Sequence, residues 1–275
     1  HEDPDRADVV VPMEQAADFL AETEALAGLL APSSDAAFDE ATQFKGWTLN
    51  DVIRHLHFWN RAAGLQLTDE AELVRLLGAI AGKGGMRAVE REVVPLAGQA
   101  LRSAWVRTAG EIADLYATAD PKARLKWAGP DMSARSSITA RLMETWAHGQ
   151  EVYDHLAVER VDADRIKNIA HLGVSTFGWT YLVRKMAVPA VMPRVELTAP
   201  SGEVWSWGEA DGENAILGSA TEFCQVVTQV RNVADTKLDV SGAIATEWMA
   251  MAQCFAGAAE TPPKPGMRYR KVRAA

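Results

Sequence analysis

Four stretches of this chain repeat apolar residues at three- and four-residue intervals, and that recurrence constrains its fold more than any other feature. They cover residues 13–30, 47–65, 96–119 and a segment from about 133 to 156. Apolar positions at i, i+3, i+4 and i+7 form a stripe along an α-helix, and that stripe has to be buried against another element. Breaks separate the stretches: Ala31-Pro-Ser-Ser34 after the first, Gly82-Lys-Gly-Gly85 after a shorter helix, and Asp120-Pro121 after the third. Proline removes a helical N–H and glycine loosens the backbone, so such clusters read as helix ends. The second stretch has a marked start, with Thr48 as cap, Asp51 at the third helical position, and Trp47 and Val52 placed for a hydrophobic staple. Thr68 is predicted to cap the shorter helix, and Ser133 or Ser136 the fourth. The Gly82–Gly85 loop lacks the spacing and the Lys-Ser/Thr ending of a phosphate-binding loop. Substantial helices joined by loops predict an up-and-down four-helix bundle.

Beyond residue 158 the texture changes. One connecting helix is predicted over 162–184. Residues 194–208 alternate apolar and polar on both sides of Pro200-Ser-Gly202, which predicts a β-hairpin. Two helices follow, around 221–232 and 244–256, and 261–266 reads as an extended, poorly packed end. The expected fold is mainly α, with a helical bundle over 12–158 and a connecting helix and smaller α+β domain over 159–260.

Composition narrows the function classes. A net charge of −9 with no basic run argues against nucleic acid as partner, while a small anionic substrate needs only one or two placed cations. No apolar run approaches the ~20 residues of a membrane span. Residues 1–8 are polar and acidic, without the apolar core of a signal peptide. Cys224 and Cys254 sit in apolar helical contexts and read as reduced structural thiols, which suits a cytoplasmic protein.

Glu144 and His148 carry the clearest chemistry. Four residues apart, they share one helix face and can close on a single metal ion. With Ser137, Arg141, Glu151 and His155 they form a polar stripe opposite Ile138, Leu142, Trp146 and Val152. From periodicity alone this is either a solvated face or the lining of a polar pocket between helices. His55 and His57 flank the apolar face of the second helix on opposite edges, and periodicity does not choose between them. His171 reads as a packing or surface residue.

The segments Trp47-Thr-Leu-Asn-Asp-Val-Ile-Arg-His-Leu56 and Arg141-Leu-Met-Glu-Thr-Trp-Ala-His-Gly-Gln150 resemble the metal-binding helices of mycothiol-dependent maleylpyruvate isomerase-like proteins. These belong to the DinB superfamily of four-helix bundles. Carried over by position, the resemblance implies His55, Glu144 and His148 as metal ligands and leaves out His57. Arg194-Val-Glu-Leu-Thr-Ala-Pro-Ser-Gly, Trp205-Ser-Trp-Gly and Phe223-Cys-Gln-Val-Val-Thr-Gln-Val-Arg231 are similar to a branch whose C-terminal segment is grouped with wyosine-base formation. Arg231 falls near a substrate-binding arginine of the isomerases; its plainer reading is a helix-end residue that caps carbonyls.

The resemblance implies a divalent cation, expected to be zinc, with an open position for a low-molecular-weight thiol. The expected reaction is isomerisation of, or thiol transfer to, a small carboxylate-bearing electrophile, with Arg231 holding the carboxylate and Trp59, Trp146 and Trp205 as pocket walls. One alternative is thiol-independent hydratase, hydrolase or lyase chemistry through metal-bound water, with Glu151 or His155 as base. A non-catalytic metal-binding protein is another, RNA binding ranks last, and a homodimer stays open.

Overall fold

The computed structural model describes residues 12–272 apart from 83, 210 and 211, so the polar stretch 1–8 and the lysine of the Gly82–Gly85 loop lie outside the described residues. The first part comprises α1 (Glu14–Leu30), α2 (Leu49–Thr68), α3 (Glu70–Gly82), α4 (Met86–Val93) and α5 (Gly98–Ala117), then a short ribbon of β1 (Arg124–Leu125) and β2 (Met132–Ser133), and α6 (Ala134–His155). α1 and α2 each pack against both α5 and α6, which makes the bundle that the periodicity predicts. Among the described residues no helix is long and apolar enough to cross a membrane.

Local chemistry explains the element ends. Thr48 and Asp51 form a reciprocal capping box: the Thr48 hydroxyl accepts from Asp51 N at 3.1 Å, and Asp51 Oδ2 accepts from Thr48 N at 3.2 Å. Ser133 caps α6, accepting from Ser136 N. Thr68 does not cap α3, because α2 runs on through it; Asp69 accepts from Glu72 N at 3.0 Å instead. α4 corresponds to no helix expected from the sequence. Asp51 reaches across from α2 to hold it, with Arg87 Nη2 at 2.6 Å and Arg91 Nη2 at 3.3 Å. That clamp turns Glu90 of the same short helix inward, where it is buried.

α6 is buried on nearly all sides. Ile138, Leu142 and Trp146 are fully covered, yet Ser137, Arg141, His148 and Glu151 are no more than 8 % exposed either. The polar stripe is therefore an interior surface and not a solvated face. Gly149 lets a further charge lie against α6, since a Cβ there would come within 2.9 Å of Arg160 Nη2. Arg160 donates to Trp146 O at 2.7 Å and pairs with buried Glu22 of α1 at 2.6 Å.

After residue 158 the expected single helix is broken into a 3-10 turn at Asp164–Ile166, α7 (Lys167–Ser175) and α8 (Phe177–Leu182). Ser175 and Thr176 bond back to the carbonyls of His171 and Leu172, competing with the helical ladder at the break. The predicted hairpin is present as β3 (Arg194–Thr198) and β4 (Val204–Trp207), with Val195 opposite Trp207. Short β5 (Ala215–Ser219) leads into α9 (Ala220–Val227), and β6 (Asp239–Ser241) into α10 (Ala243–Met251). The sheet order is β4-β3-β5-β6, with β3 and β5 parallel. β5 and β6 have no counterpart among the expectations, because Ala-Ile-Leu-Gly-Ser in β5 does not alternate apolar with polar and β6 has only three residues. α9 stops short of the expected 232: Gln229 takes a positive φ of 59° as the chain turns.

One hydrophobic cluster runs from Phe19, Leu142 and Trp146 through Phe177 to Phe223 and Trp248, across the expected division at 158. Residues 261–266 carry no helix or strand and are largely exposed, as expected of an extended end, yet the chain there and beyond is anchored by hydrogen bonds. Asn232 Nδ2 donates to Pro263 O, Tyr269 N to Gln43 Oε1 and Lys271 N to Asp154 O, each at 2.9 Å. It forms a strap that returns to the bundle.

Thr48→Ala is expected to cost about 1 kcal/mol of stability by urea unfolding. Burial tends to raise the Asp51 pKa, but the Thr48 N–H, Arg87 and Arg91 outweigh it and hold it below the usual 3.8. A depressed carboxyl stabilises fully above its unfolded pKa and loses that contribution as pH falls through the folded value. The gap in urea midpoint between wild type and Asp51→Asn should be full at neutral pH and close below about pH 4.

Candidate metal centre

α2 and α6 bring His55, Glu144 and His148 together, with one ligand atom from each lying within 4.8 Å of the others. His55 Nε2 is 3.6 Å and His148 Nε2 3.3 Å from Glu144 Oε2. Those separations are close to the ~3.3 Å edge of a tetrahedron with bonds of ~2.0–2.1 Å. His57 is not in the cluster. Burial, then Arg61 and Arg107, push its pKa down to about 4, so it is a neutral packing residue.

Each imidazole is oriented from behind by a buried carboxylate. Glu90 Oε1 lies 2.7 Å from His55 Nδ1 and also accepts from Trp59 Nε1 at 3.2 Å. Both Glu151 oxygens lie 3.1 Å from His148 Nδ1. Nδ1 of each ring faces its carboxylate, which directs Nε2 at Glu144, where it would take a cation in place of its proton. Carboxylate–imidazole pairs of this kind fix ring orientation and raise ligand basicity at metal sites. Sequence reasoning misses Glu90 because its helix has only eight residues, and its apolar positions Met86, Val89 and Val93 do not show that the neighbouring Glu90 lies behind His55.

The local field favours positive charge. Burial works against an imidazolium at His148, but the Glu151 charge and hydrogen bonds to Glu144 and Glu151 outweigh it and push its pKa up to about 10. Burial also raises a carboxyl pKa, yet hydrogen bonds from His148 and His55 and the charges of His148 and Arg141 hold Glu144 well below the carboxylate range. Two imidazole nitrogens and one carboxylate oxygen directed at a common point suit a borderline divalent cation such as zinc, which would take the place of the imidazole protons. The donor set fits the group that the resemblance implies.

The centre opens onto a cavity of about 420 Å³ between the bundle, the end of α9 and the C-terminal strap. Trp47 stacks parallel to His148, with centroids 5.8 Å apart, and meets His55 edge-on at 5.3 Å. Trp47 and Phe44 line the cavity; the expected walls Trp59, Trp146 and Trp205 do not. Trp59 instead supports Glu90, and Trp146 bonds Asp162 at 2.8 Å. Glu151 lines the cavity with both oxygens on His148, so it is placed as an orienting carboxylate and not as a free base. His155 bridges Glu40 and Lys271 at 2.8 and 3.0 Å away from the cavity lining. Arg231 is also outside the lining, with its two Nη atoms on Asp154 at 2.6 and 2.7 Å. Cys224 and Cys254 are buried free thiols that do not line the cavity, and burial pushes both pKa values up.

Residues 19–153 match the family described as the mycothiol maleylpyruvate isomerase N-terminal domain. Two uncharacterized proteins of Mycobacterium tuberculosis, one from each of two strains, are 39% identical over 244 residues, which span 88% of this chain and 95% of theirs. Among solved structures, a mycothiol-dependent maleylpyruvate isomerase aligns with a TM-score of 0.49, and a mutant of it with 0.47. Each of these alignments is 15% identical and covers 78% of this chain and 87% of the other.

Glu90→Gln tests the support behind His55. It should weaken zinc affinity roughly 10- to 100-fold with the far-UV circular dichroism unchanged, as measured by competition with a chromogenic chelator.

Proposed function

From the premise that this chain belongs to one family with the M. tuberculosis proteins and carries the mycothiol maleylpyruvate isomerase N-terminal domain, we propose that it is a metal-dependent enzyme that uses a small thiol. Its substrate is a small carboxylate-bearing electrophile, which it isomerises or to which it transfers the thiol. His55, Glu144 and His148 hold the cation, expected to be zinc. The observation that carries this reading is the paired support, in which Glu90 and Glu151 each fix an imidazole so that both Nε2 atoms face Glu144 beside an open cavity. We assign the segment after 158 to the wyosine-type branch and give it the task of closing that cavity.

A divalent cation in such a site supplies Lewis acidity that stabilises a thiolate at neutral pH. The sulfur has to come from outside, since neither Cys224 nor Cys254 reaches the cavity and both are held as thiols by burial. A bound thiol would supply a nucleophile able to add reversibly to an activated alkene, with the electron pair taken up by the conjugated carbonyl; loss of the thiolate after bond rotation would amount to isomerisation, and protonation in its place to transfer. Trp47 and Phe44 exclude water from the face of His148 and present an apolar wall to the alkene. The protein's work is orientation, charge placement and exclusion of solvent.

His148→Ala should lose bound zinc by elemental analysis and lower thiol-dependent turnover ~10³-fold or more, as expected for several kcal/mol of Lewis-acid stabilisation, with helix content unchanged. Full turnover by metal-free protein would refute the metal role. Turnover without any thiol would shift the assignment to hydration or hydrolysis.

A further inference from the structure

The strap that closes the cavity carries a buried cation outside the ligand set. Arg268 is only 6 % exposed, and its Nε and Nη2 are enclosed without a hydrogen-bond partner. Nη2 stands 3.9 Å from Glu151 Oε1, beyond hydrogen-bond reach. The guanidinium lies 5.6 Å from the Phe44 ring centroid and lines the same cavity as His55, Glu144 and His148. A guanidinium stays charged when buried, offers donors in a planar fork, and matches a carboxylate through two parallel bonds. Leaving those donors enclosed and unpaired is unfavourable, so an anion that enters the cavity gains from meeting them.

We infer that Arg268 is the anion-binding residue of this cavity and receives the carboxylate of the substrate. The inference rests on the proposed function for the identity of the ligand, and on the position of Arg268 for the residue. Arg231 is not free for that task, because Asp154 occupies it from both oxygens. Its place in the fold is different. Asp154 takes Arg231 on its side chain and Lys271 N on its carbonyl, and Gln43 takes Tyr269 N, so the backbone on the C-terminal side of Arg268 is tied to the bundle. Arg231 and Asp154 are positioning residues for the strap, and Arg268 is the group that touches substrate.

The test uses the full-length protein and isothermal titration with succinate, a small dicarboxylate, against its neutral diamide succinamide, with and without zinc. Wild type is expected to bind succinate more tightly than succinamide. Arg268→Gln is expected to weaken succinate binding roughly 10- to 100-fold, while zinc content and succinamide binding stay as in wild type. Arg268→Lys should recover part of the loss, because an ammonium keeps the charge without the fork. Three results would overturn the inference: equal binding of succinate and succinamide by wild type, wild-type succinate affinity in Arg268→Gln, or loss of zinc from that variant. The second would place the carboxylate on the cation alone, and the third would make Arg268 a support for Glu151. Protein that binds succinate through Arg268 yet turns over without thiol would overturn the thiol reading and leave this one standing.

Discussion

Glu90 and Glu151, buried behind two imidazoles with Glu144 between, are the interaction on which the rest of the structure turns. Carboxylates taken out of water are tolerated only beside positive charge or donors that satisfy them. That requirement explains several otherwise separate features. α4 is short, yet it is clamped to α2 through Asp51 so that Glu90 arrives behind His55. Arg141 lies buried on α6 one turn before Glu144, and Arg268 comes in from the far end of the chain beside Glu151. The two imidazoles lie among three carboxylates, and the surrounding charges are arranged about that group.

The C-terminal part is a structural component of the site and not an appendage. It shares a hydrophobic cluster with the bundle, and side chains between Phe255 and Arg268 form one wall of the cavity. Asp154, near the end of α6, is where the two parts meet, gathering Gln150, Arg231 and the backbone of Lys271. The shape of the cavity therefore depends on both parts, and both buried cysteines are kept out of it.

The legible features of this sequence were the local ones. Helical periodicity located the bundle helices, Thr48 and Asp51 marked the start of α2, and alternation around Pro200 located the β3–β4 hairpin. The i, i+4 spacing of Glu144 and His148 needs only one helix to have meaning, and the motif resemblance chose His55 over His57. Glu90 was not legible, since α4 is short and held by ion pairs from another helix. The roles of Arg231 and Arg268 were not legible either, because a free guanidinium and one already paired to a distant carboxylate look the same in a sequence. Ser175 and Thr176 broke a helix that propensity would have continued.

By itself the sequence determined which segments are helical and that Glu144 and His148 share one helix face, because periodicity and i, i+4 spacing are fixed within a single element, while His55 on another helix was picked out by motif resemblance. Tertiary structure alone decided that the polar stripe of α6 is interior, that Glu90 and Glu151 stand behind the histidines, and that Arg268, and not Arg231, lines the cavity while keeping enclosed, unpaired donors. Burial and charge pairing depend on which surfaces meet, and residues 55, 90, 148, 151 and 268 come together only when helices and strap close on one another.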